Sequence, residues 1–400
     1  MFFKLLKKPN EISISLGFFC VSNFSWNHYQ TRPNREEQLF QYSHINELSK
    51  HRRGDIFSMK KVNVAILGVM GSVGTEILKV LEERKFPVDN LKLLASKKYA
   101  GREIIWNSLK YVVEEVTKDS FDDVDILLSA VPSEASKIYT PIAVEKGVVV
   151  IDNSSAYRYD ENVPLVIPEI NPEDVETHEG IIANPNCSTI IALLPLSEIN
   201  KLSLIKRIIA STYQAASGAG NKGMEELERQ TKDYANEKEL EVKAFHHQIL
   251  HNVIPQVDNF TENGYTKEEM KMVNESRKIL HNKNINISCT SVRVPVLRSH
   301  SVSMIVETED DVSVEKAKEL LSKSKGIKIV DDIERNIYPM PKDSSNQDLV
   351  FVGRIRKDLS GNGLNLWCCG DQIRKGAATN AVQIAELLVS SSNESSDRSC

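Results

Sequence analysis

A doubly wound α/β half followed by an α+β half is the fold class that this sequence predicts. Three observations predict it. A β-branched run ends in three evenly spaced glycines, apolar runs and helix-like segments then alternate to about residue 186, and past that point the alternation gives way to a mixed pattern. The length of 400 residues also exceeds what a single core usually supports.

The elements can be justified in chain order. Val62–Leu67 is short, β-branched and bounded by glycine, as a buried strand is. It runs into Gly68-Val69-Met70-Gly71-Ser72-Val73-Gly74, after which Thr75–Arg84 continues as an amphipathic helix. Strand, glycine loop and helix together aim backbone N–H groups at a pyrophosphate, the arrangement of a dinucleotide site. The spacing is G-x-x-G-x-x-G, so a structural glycine turn is the competing reading. The next strand, Leu91–Ala95, ends in Ser96-Lys97-Lys98, where an NAD site carries an acid for the ribose 2′-hydroxyl. Two cations and a hydroxyl there suit a 2′-phosphate and favour NADP, against a solvated lysine pair on a turn. Asp125–Ala130 and Val148–Asp152 read as further strands with Ser133–Lys146 helical between them, which makes the sheet parallel.

Pro185-Asn186-Cys187-Ser188-Thr189 then precedes the apolar run Ile190–Leu194. Ser and Thr beside such a run start helices, so Cys187 is expected at or just before a helix N-terminus. Unpaired N–H groups at that point favour an anion, and the thiol pKa is expected to be lowered. The competing reading is a small buried hydrophobe. Beyond it, Tyr213–Gly220 reads as a strand end entering a small-residue loop, and Thr266–Leu280 as a helix with Glu268 and Lys271 three apart on one face. On spacing alone that pair is a surface ion pair. Asn286–Val294 and Ser299–Glu307 read as strands around Pro295, with Arg293 and His300 near their junction. Leu364–Cys369 is a strand, and the Ala-rich helix Gly376–Val389 is expected to return to the first domain and close it.

Composition excludes several classes. A formal charge of −5 gives no electrostatic case for nucleic acid or an anionic membrane, and no apolar run approaches the roughly 20 residues of a spanning helix. Six cysteines show no C-x-x-C pair, so neither zinc nor a disulfide framework is indicated, which fits a reducing compartment. Residues 1–60 do not match the rest: they are basic, rich in aromatics and without sustained period. They read as a mis-called start with Met59 as the true beginning, an organellar presequence or a disordered tail, the first being favoured.

Six stretches together resemble the aspartate-β-semialdehyde dehydrogenases of the bacterial type. They are the Gly68–Gly74 loop, Asn153–Arg158, Asn184–Thr189, Gln214 with Ser217–Gly220, Arg293 with His300, and Arg374–Asn380. The resemblance implies an NADP-dependent enzyme that reduces L-aspartyl-4-phosphate to the semialdehyde and phosphate, towards lysine, threonine and methionine. It divides the chain into an extension (1–60), an NADP-binding domain (61–186 plus about 355–390) and a catalytic and dimerisation domain (187–354). It makes Cys187 the nucleophile, His300 the acid/base and Gln214 the residue orienting the tetrahedral intermediate. Arg293 falls on the substrate α-carboxylate, Glu268 on its amino group and Arg158 and Lys271 on the phosphate, with Asn186 beside the nucleophile. Gly68, Gly71, Ser72, Val73, Gly74, Ser96, Lys97 and Lys98 fall on the cofactor, joined by Ser217, Gly218 and Gln372 from the second half. No metal is implied, and a cytoplasmic homodimer or homotetramer is, with organellar import by residues 1–58 as the alternative location. Three departures stand out: Lys98-Tyr99 where Arg-Ser is common, Gln372 where Asn is common, and the extension itself. Competing functions are an N-acetyl-γ-glutamyl-phosphate reductase, whose nucleophile motif is Asn-Pro-Gly-Cys-Tyr, and a non-catalytic NADP-binding redox sensor using Cys187.

Overall fold

The computed structural model describes the backbone of residues 61–397 and the side chains of residues 61–390, so the readings made for residues 1–60 lie outside the described residues. The first sheet is parallel throughout. Its strands are β1 (Val62–Leu67), β2 (Val88–Ala95), β5 (Glu114–Glu115), β6 (Ile126–Ser129), β7 (Val149–Asp152) and β8 (Ile181–Ala183), in the order β5-β2-β1-β6-β7-β8. A separate hairpin joins β3 (Glu103–Trp106) to β4 (Leu109–Val112). Parallel strands covered on both faces need apolar residues on both, and β1 supplies them: Val64 and Ile66 pack on one side, Ala65 and Leu67 on the other. Helix α1 (Ser72–Glu83) covers the first side with Ile77, Val80 and Leu81, and α2 (Ser133–Glu145) covers the second with Ala143. The chain reversal between β2 and β6 around β1 opens a crevice at the carboxyl ends of the strands, the usual ligand position in such sheets.

The second sheet is mixed: β9 (Ile205–Gln214), β10 (Asn286–Arg293), β11 (His300–Thr308), β12 (Ile327–Ile329), β13 (Val350–Lys357) and β14 (Gly363–Gly370), in the order β10-β9-β11-β14-β13-β12. Its inner face packs on α3 (Cys187–Leu202), whose stretch from Ser188 to Ser197 is buried on all sides and accordingly carries Ile190–Leu196 without a polar break. Four further helices, α4 (Gly220–Ala235), α5 (Lys267–Ile279), α6 (Val314–Lys323) and the single turn α7 (Pro341–Ser344), belong to this half. Register brings the strand ends together. β10 runs parallel to β9 with Arg293 beside Gln214, and β11 runs antiparallel to β9 with Ser301 beside Tyr213, so His300 joins them at one edge.

The chain then returns to the first half, later than residue 355. Residues 350–357 and 363–370 pair in the second sheet, and the return starts with a π-turn, Arg374–Ala378, followed by α8 (Thr379–Asp397). Ala378, Ala381, Val382, Ile384 and Ala385 enter the same apolar cluster as β1 and α1. Polar pins accompany this packing. Lys375, fully buried, donates to Glu169 at 2.6 Å, Gln383 at 2.7 Å and Asn380 at 3.0 Å. Asn380 in turn donates to Asn184, at 2.7 Å, just ahead of the nucleophile. Removing the cation strands a buried carboxylate, so Lys375→Met is expected to lower stability by about 3–5 kcal/mol in a urea unfolding titration, and a loss under about 1 kcal/mol would show that Glu169 is solvated instead.

Candidate active site

Helix α3 begins at Cys187 because Asn186 caps it. The Asn186 carboxamide oxygen accepts the N–H groups of Ser188 (2.9 Å) and Thr189 (3.3 Å). Among the described residues nothing accepts the N–H of Cys187 itself, which leaves one backbone donor at the sulfur's foot. Gly376 of the π-turn lies against the same residue: a Cβ there would stand 2.8 Å from the Cys187 Cβ. Only glycine fits, which ties the return segment to the nucleophile.

A buried carboxylate gathers the polar side chains around this helix start. Glu268 accepts from the Asn186 amide (3.0 Å) and the Gln214 amide (3.0 Å) on one oxygen, and from Lys271 (2.9 Å) on the other. Burial works against its charge, but Lys271 and these bonds outweigh it and hold the carboxyl down to about 2. Lys271 also reaches Asp258 at 3.1 Å. Thus Glu268 and Lys271 form a pair, but one whose carboxylate is buried inside the cluster and whose ammonium is half-buried beside it, not a solvated surface pair.

Arg158 sits on the other side, 6% exposed. It donates to the carbonyls of Asn184 (2.9 Å) and Asn153 (2.8 Å) and to Glu275 (3.1 Å), so two of its five N–H groups have no partner among the described residues. Arg293 is equally buried and donates to the Ala215 carbonyl at 2.6 Å, with Phe245 5.7 Å from its carbon. No ion pair compensates it among the described residues, and a buried guanidinium without a carboxylate attracts an anion. Gly218 makes room for it, since a Cβ there would meet the Arg293 guanidinium at 2.6 Å.

His300 accepts the Ala215 N–H on Nδ1 at 3.0 Å. Burial, with Arg293 beside it, holds the imidazole down to about 3 despite Glu268. The ring is therefore neutral, and with Nδ1 accepting, its proton is on Nε2, which faces the Gln214 amide at 3.5 Å. Its backbone is set by Ser299, in the left-handed region at φ 73° and held there by the Gln372 carboxamide, which accepts the Ser299 N–H at 2.9 Å.

The thiol corrects one expectation. Burial, reinforced by Glu268, pushes Cys187 up to about 12, although Arg158, Lys271 and Arg293 pull the other way. The helix start does not outweigh desolvation. The group is a thiol at neutral pH.

A cleft of about 940 Å³ lies at the carboxyl ends of β1, β2 and β6. Gly68, Gly71, Ser72, Ser96, Lys97 and Lys98 line it, and the second half contributes Ala219–Lys222. Helix α1 has no side-chain cap and no acid in its first turn, which leaves its N-terminal N–H groups available to a pyrophosphate. Gly68 has φ 88°, and Gly74 allows the loop to close on itself, since its Cβ would meet the Gly68 carbonyl at 2.3 Å. Val73 faces the apolar core, not the cleft. Lys98 and Arg102 lie on the Tyr99 ring, at 5.1 and 5.0 Å. The residues present therefore fit a dinucleotide. Two of those expected on the cofactor do not face it with free groups: the Gln372 amide donates to the Ser217 hydroxyl, and the pair holds the second half's loop instead.

Residues 63–178 match the family described as semialdehyde dehydrogenase, NAD binding domain, and residues 193–375 the one described as semialdehyde dehydrogenase, dimerisation domain. Aspartate-semialdehyde dehydrogenase of Aquifex aeolicus is 51% identical over 82% of this chain and 97% of its own length. The chain belongs to the aspartate-semialdehyde dehydrogenase family. Its relative in Bacillus subtilis is 46% identical over 82% of this chain and 97% of its own. The crystal structure of aspartate semialdehyde dehydrogenase II from Vibrio cholerae, complexed with ASA, has 46% identity and a TM-score of 0.81, covering 82% of this chain and 98% of that one.

The structure also brings together residues that the sequence did not single out. Glu275 follows Glu268 and Lys271 at helical spacing, a signal that was legible. Gly376 was quoted only as part of a motif. Asp258 and Glu115 carried no signal: the first sits in a loop with φ 69°, and the second reaches the cleft only because β5 pairs it with Ala95. Because the thiol is raised, alkylation of Cys187 by iodoacetamide is expected to accelerate about tenfold per pH unit from pH 7 to 9, and a plateau near pH 7 would reinstate a lowered pKa.

Proposed function

We propose that the protein is an NADP-dependent aspartate-semialdehyde dehydrogenase, reducing L-aspartyl-4-phosphate to L-aspartate-4-semialdehyde and phosphate through a thioester on Cys187. The observation that carries this reading is a single thiol at a capped helix start, within electrostatic reach of two buried guanidiniums and the half-buried Lys271, in a cluster that includes a neutral imidazole. The names of the relatives support the same substrate. The reading places the enzyme in lysine, threonine and methionine biosynthesis, as a homodimer or homotetramer in the cytoplasm.

The contacts support each role. Arg293, uncompensated and forked, takes the substrate α-carboxylate. Glu268 takes the amino group, and an ammonium there offsets the very carboxylate charge that helps to hold Cys187 protonated. Substrate binding thus removes one of the obstacles to thiolate formation. The sulfur attacks the acyl carbon as its proton passes to the departing phosphate oxygen, the C–O bond to phosphate breaks, and the phosphate meets the two N–H groups of Arg158 that have no partner among the described residues and the ammonium of Lys271. The N–H of Cys187 is placed to donate to the oxyanion, a contact whose loss typically costs about 2.7–4 kcal/mol. NADPH, when bound, supplies the hydride that reduces the thioester. His300, protonated on Nε2, donates a hydrogen bond to the alkoxide left by hydride addition; the alkoxide re-forms the carbonyl as the carbon–sulfur bond breaks, and the released sulfur takes up a proton from water. Gln214 is held by Glu268 and by Thr212, whose hydroxyl donates to its carboxamide oxygen at 3.1 Å, and so fixes the wall facing the imidazole.

The test uses the full chain with aspartate semialdehyde and NADP, following NADPH with and without inorganic phosphate. Formation that requires phosphate, abolished in Cys187→Ser with NADP affinity unchanged, is the expected result. Activity of Cys187→Ser above a few per cent of wild type would remove the thioester from the mechanism. For the cofactor, Lys98→Ala is expected to narrow the preference for NADPH over NADH by about tenfold, a lost charge-assisted phosphate contact being worth about 1.5–3 kcal/mol less solvent screening. An unchanged ratio would move the 2′-phosphate contact to Ser96, Lys97 or Arg102.

A further inference from the structure

We infer that Glu275 is a positioning residue, which holds the nucleophile's helix start and the phosphate-side cation in one fixed relation. The inference deepens the activity proposed above and rests on it for its kinetic readouts. Glu275 is completely buried on α5, two turns beyond Glu268. One of its oxygens accepts the backbone N–H of Asn186 at 2.6 Å, and the other accepts from Arg158 at 3.1 Å. Arg158 itself holds the carbonyl of Asn184 at 2.9 Å. These bonds close a ring that runs from the Asn184 carbonyl through Arg158 and Glu275 to the Asn186 N–H, spanning Pro185. Proline fixes its own φ, so a ring clamped on both sides of it leaves the chain little freedom immediately before Cys187.

The ring needs a carboxylate. Both oxygens act as acceptors, whereas a glutamine offers one acceptor and one donor and must set N–H against N–H at one end. A buried ion pair contributes little net stability over an apolar pair of the same shape. Its retention here fits a different task, because Arg158 must stay charged with two N–H groups turned to the site. Glu275 touches neither the Cys187 sulfur nor, in the proposed reaction, any reacting atom. It acts through the two groups that do.

The experiment compares full-length wild type, Glu275→Gln and Glu275→Asp by NADPH formation at varied phosphate. Alongside it, alkylation of Cys187 by iodoacetamide is followed by peptide mass spectrometry with and without inorganic phosphate, and thermal melting and NADP binding report the fold. Glu275→Gln is expected to lower kcat and to raise the KM for phosphate by about tenfold each. It is also expected to alter the alkylation rate and abolish protection by phosphate, with NADP affinity unchanged. Glu275→Asp, which keeps the charge, recovers part of each loss. The inference is overturned by a Glu275→Gln protein whose phosphate KM and alkylation match wild type, or whose kcat falls only in step with its folded fraction. If Glu275→Gln does not fold, Glu275→Asp decides: shifted phosphate KM and alkylation support the role, and wild-type values overturn it. Should wild type form no NADPH, the activity reading fails, and the alkylation arm still decides on Glu275.

Discussion

Most of the charged groups around the start of helix α3 are buried, so they answer chiefly to one another. Two carboxylates, Glu268 and Glu275, stand on one face of α5, and each is bound to a cation and to the residue that precedes the nucleophile. Remove Glu275, and the buried Arg158 guanidinium loses its carboxylate while the Asn186 N–H loses its acceptor, at a cost far above the worth of one hydrogen bond. The cap on α3, the orientation of Gln214 and the bearing of Arg158 all depend on that arrangement. It is also what keeps the thiol protonated, since burial and Glu268 act on the sulfur in the same direction.

The second constraint is that the site is assembled from both halves of the chain. The nucleophile lies between a glycine of the π-turn and the strand ends of the second sheet, while Asn184, just ahead of it, is bound to Asn153 of the first half and to Asn380 of α8. Arg374 adds a clasp: it reaches Glu76 and Glu83 on α1 and Asp348 in the second half. Mutual position is therefore set by hydrogen bonds whose lengths tolerate little drift. That rigidity suits a reaction in which a thiol and a cofactor cleft on separate halves must meet.

Legibility in the sequence followed the range of the forces involved. β1, the glycine loop and α1 were readable because strand, turn and helix start are local, and only the first turn of α1 was missed, the glycines masking its start at Ser72. The two-residue β5, the three-residue β8 and β12, and the hairpin of β3 and β4 were not read, being too short to show a period. The eight-residue β13 was not read either, and the boundary expected at about residue 355 falls inside it, because pairing partners, not composition, decide which sheet a strand joins.

The same division runs through the site. Spacing on one helix face put Glu268 beside Lys271, and an Asn-Cys-Ser-Thr run before an apolar stretch put Cys187 at a helix start. Both follow from the 3.6-residue turn and the unsatisfied N–H groups of a first turn. Whether the ion pair was solvated, which way the thiol pKa moved, which imidazole nitrogen carried the proton and what the Gln372 amide bound were settled by neighbours distant in sequence. Local hydrogen bonding and periodicity are written in the chain itself. Desolvation and long-range charge are properties of the packed interior, and only the tertiary structure decided them.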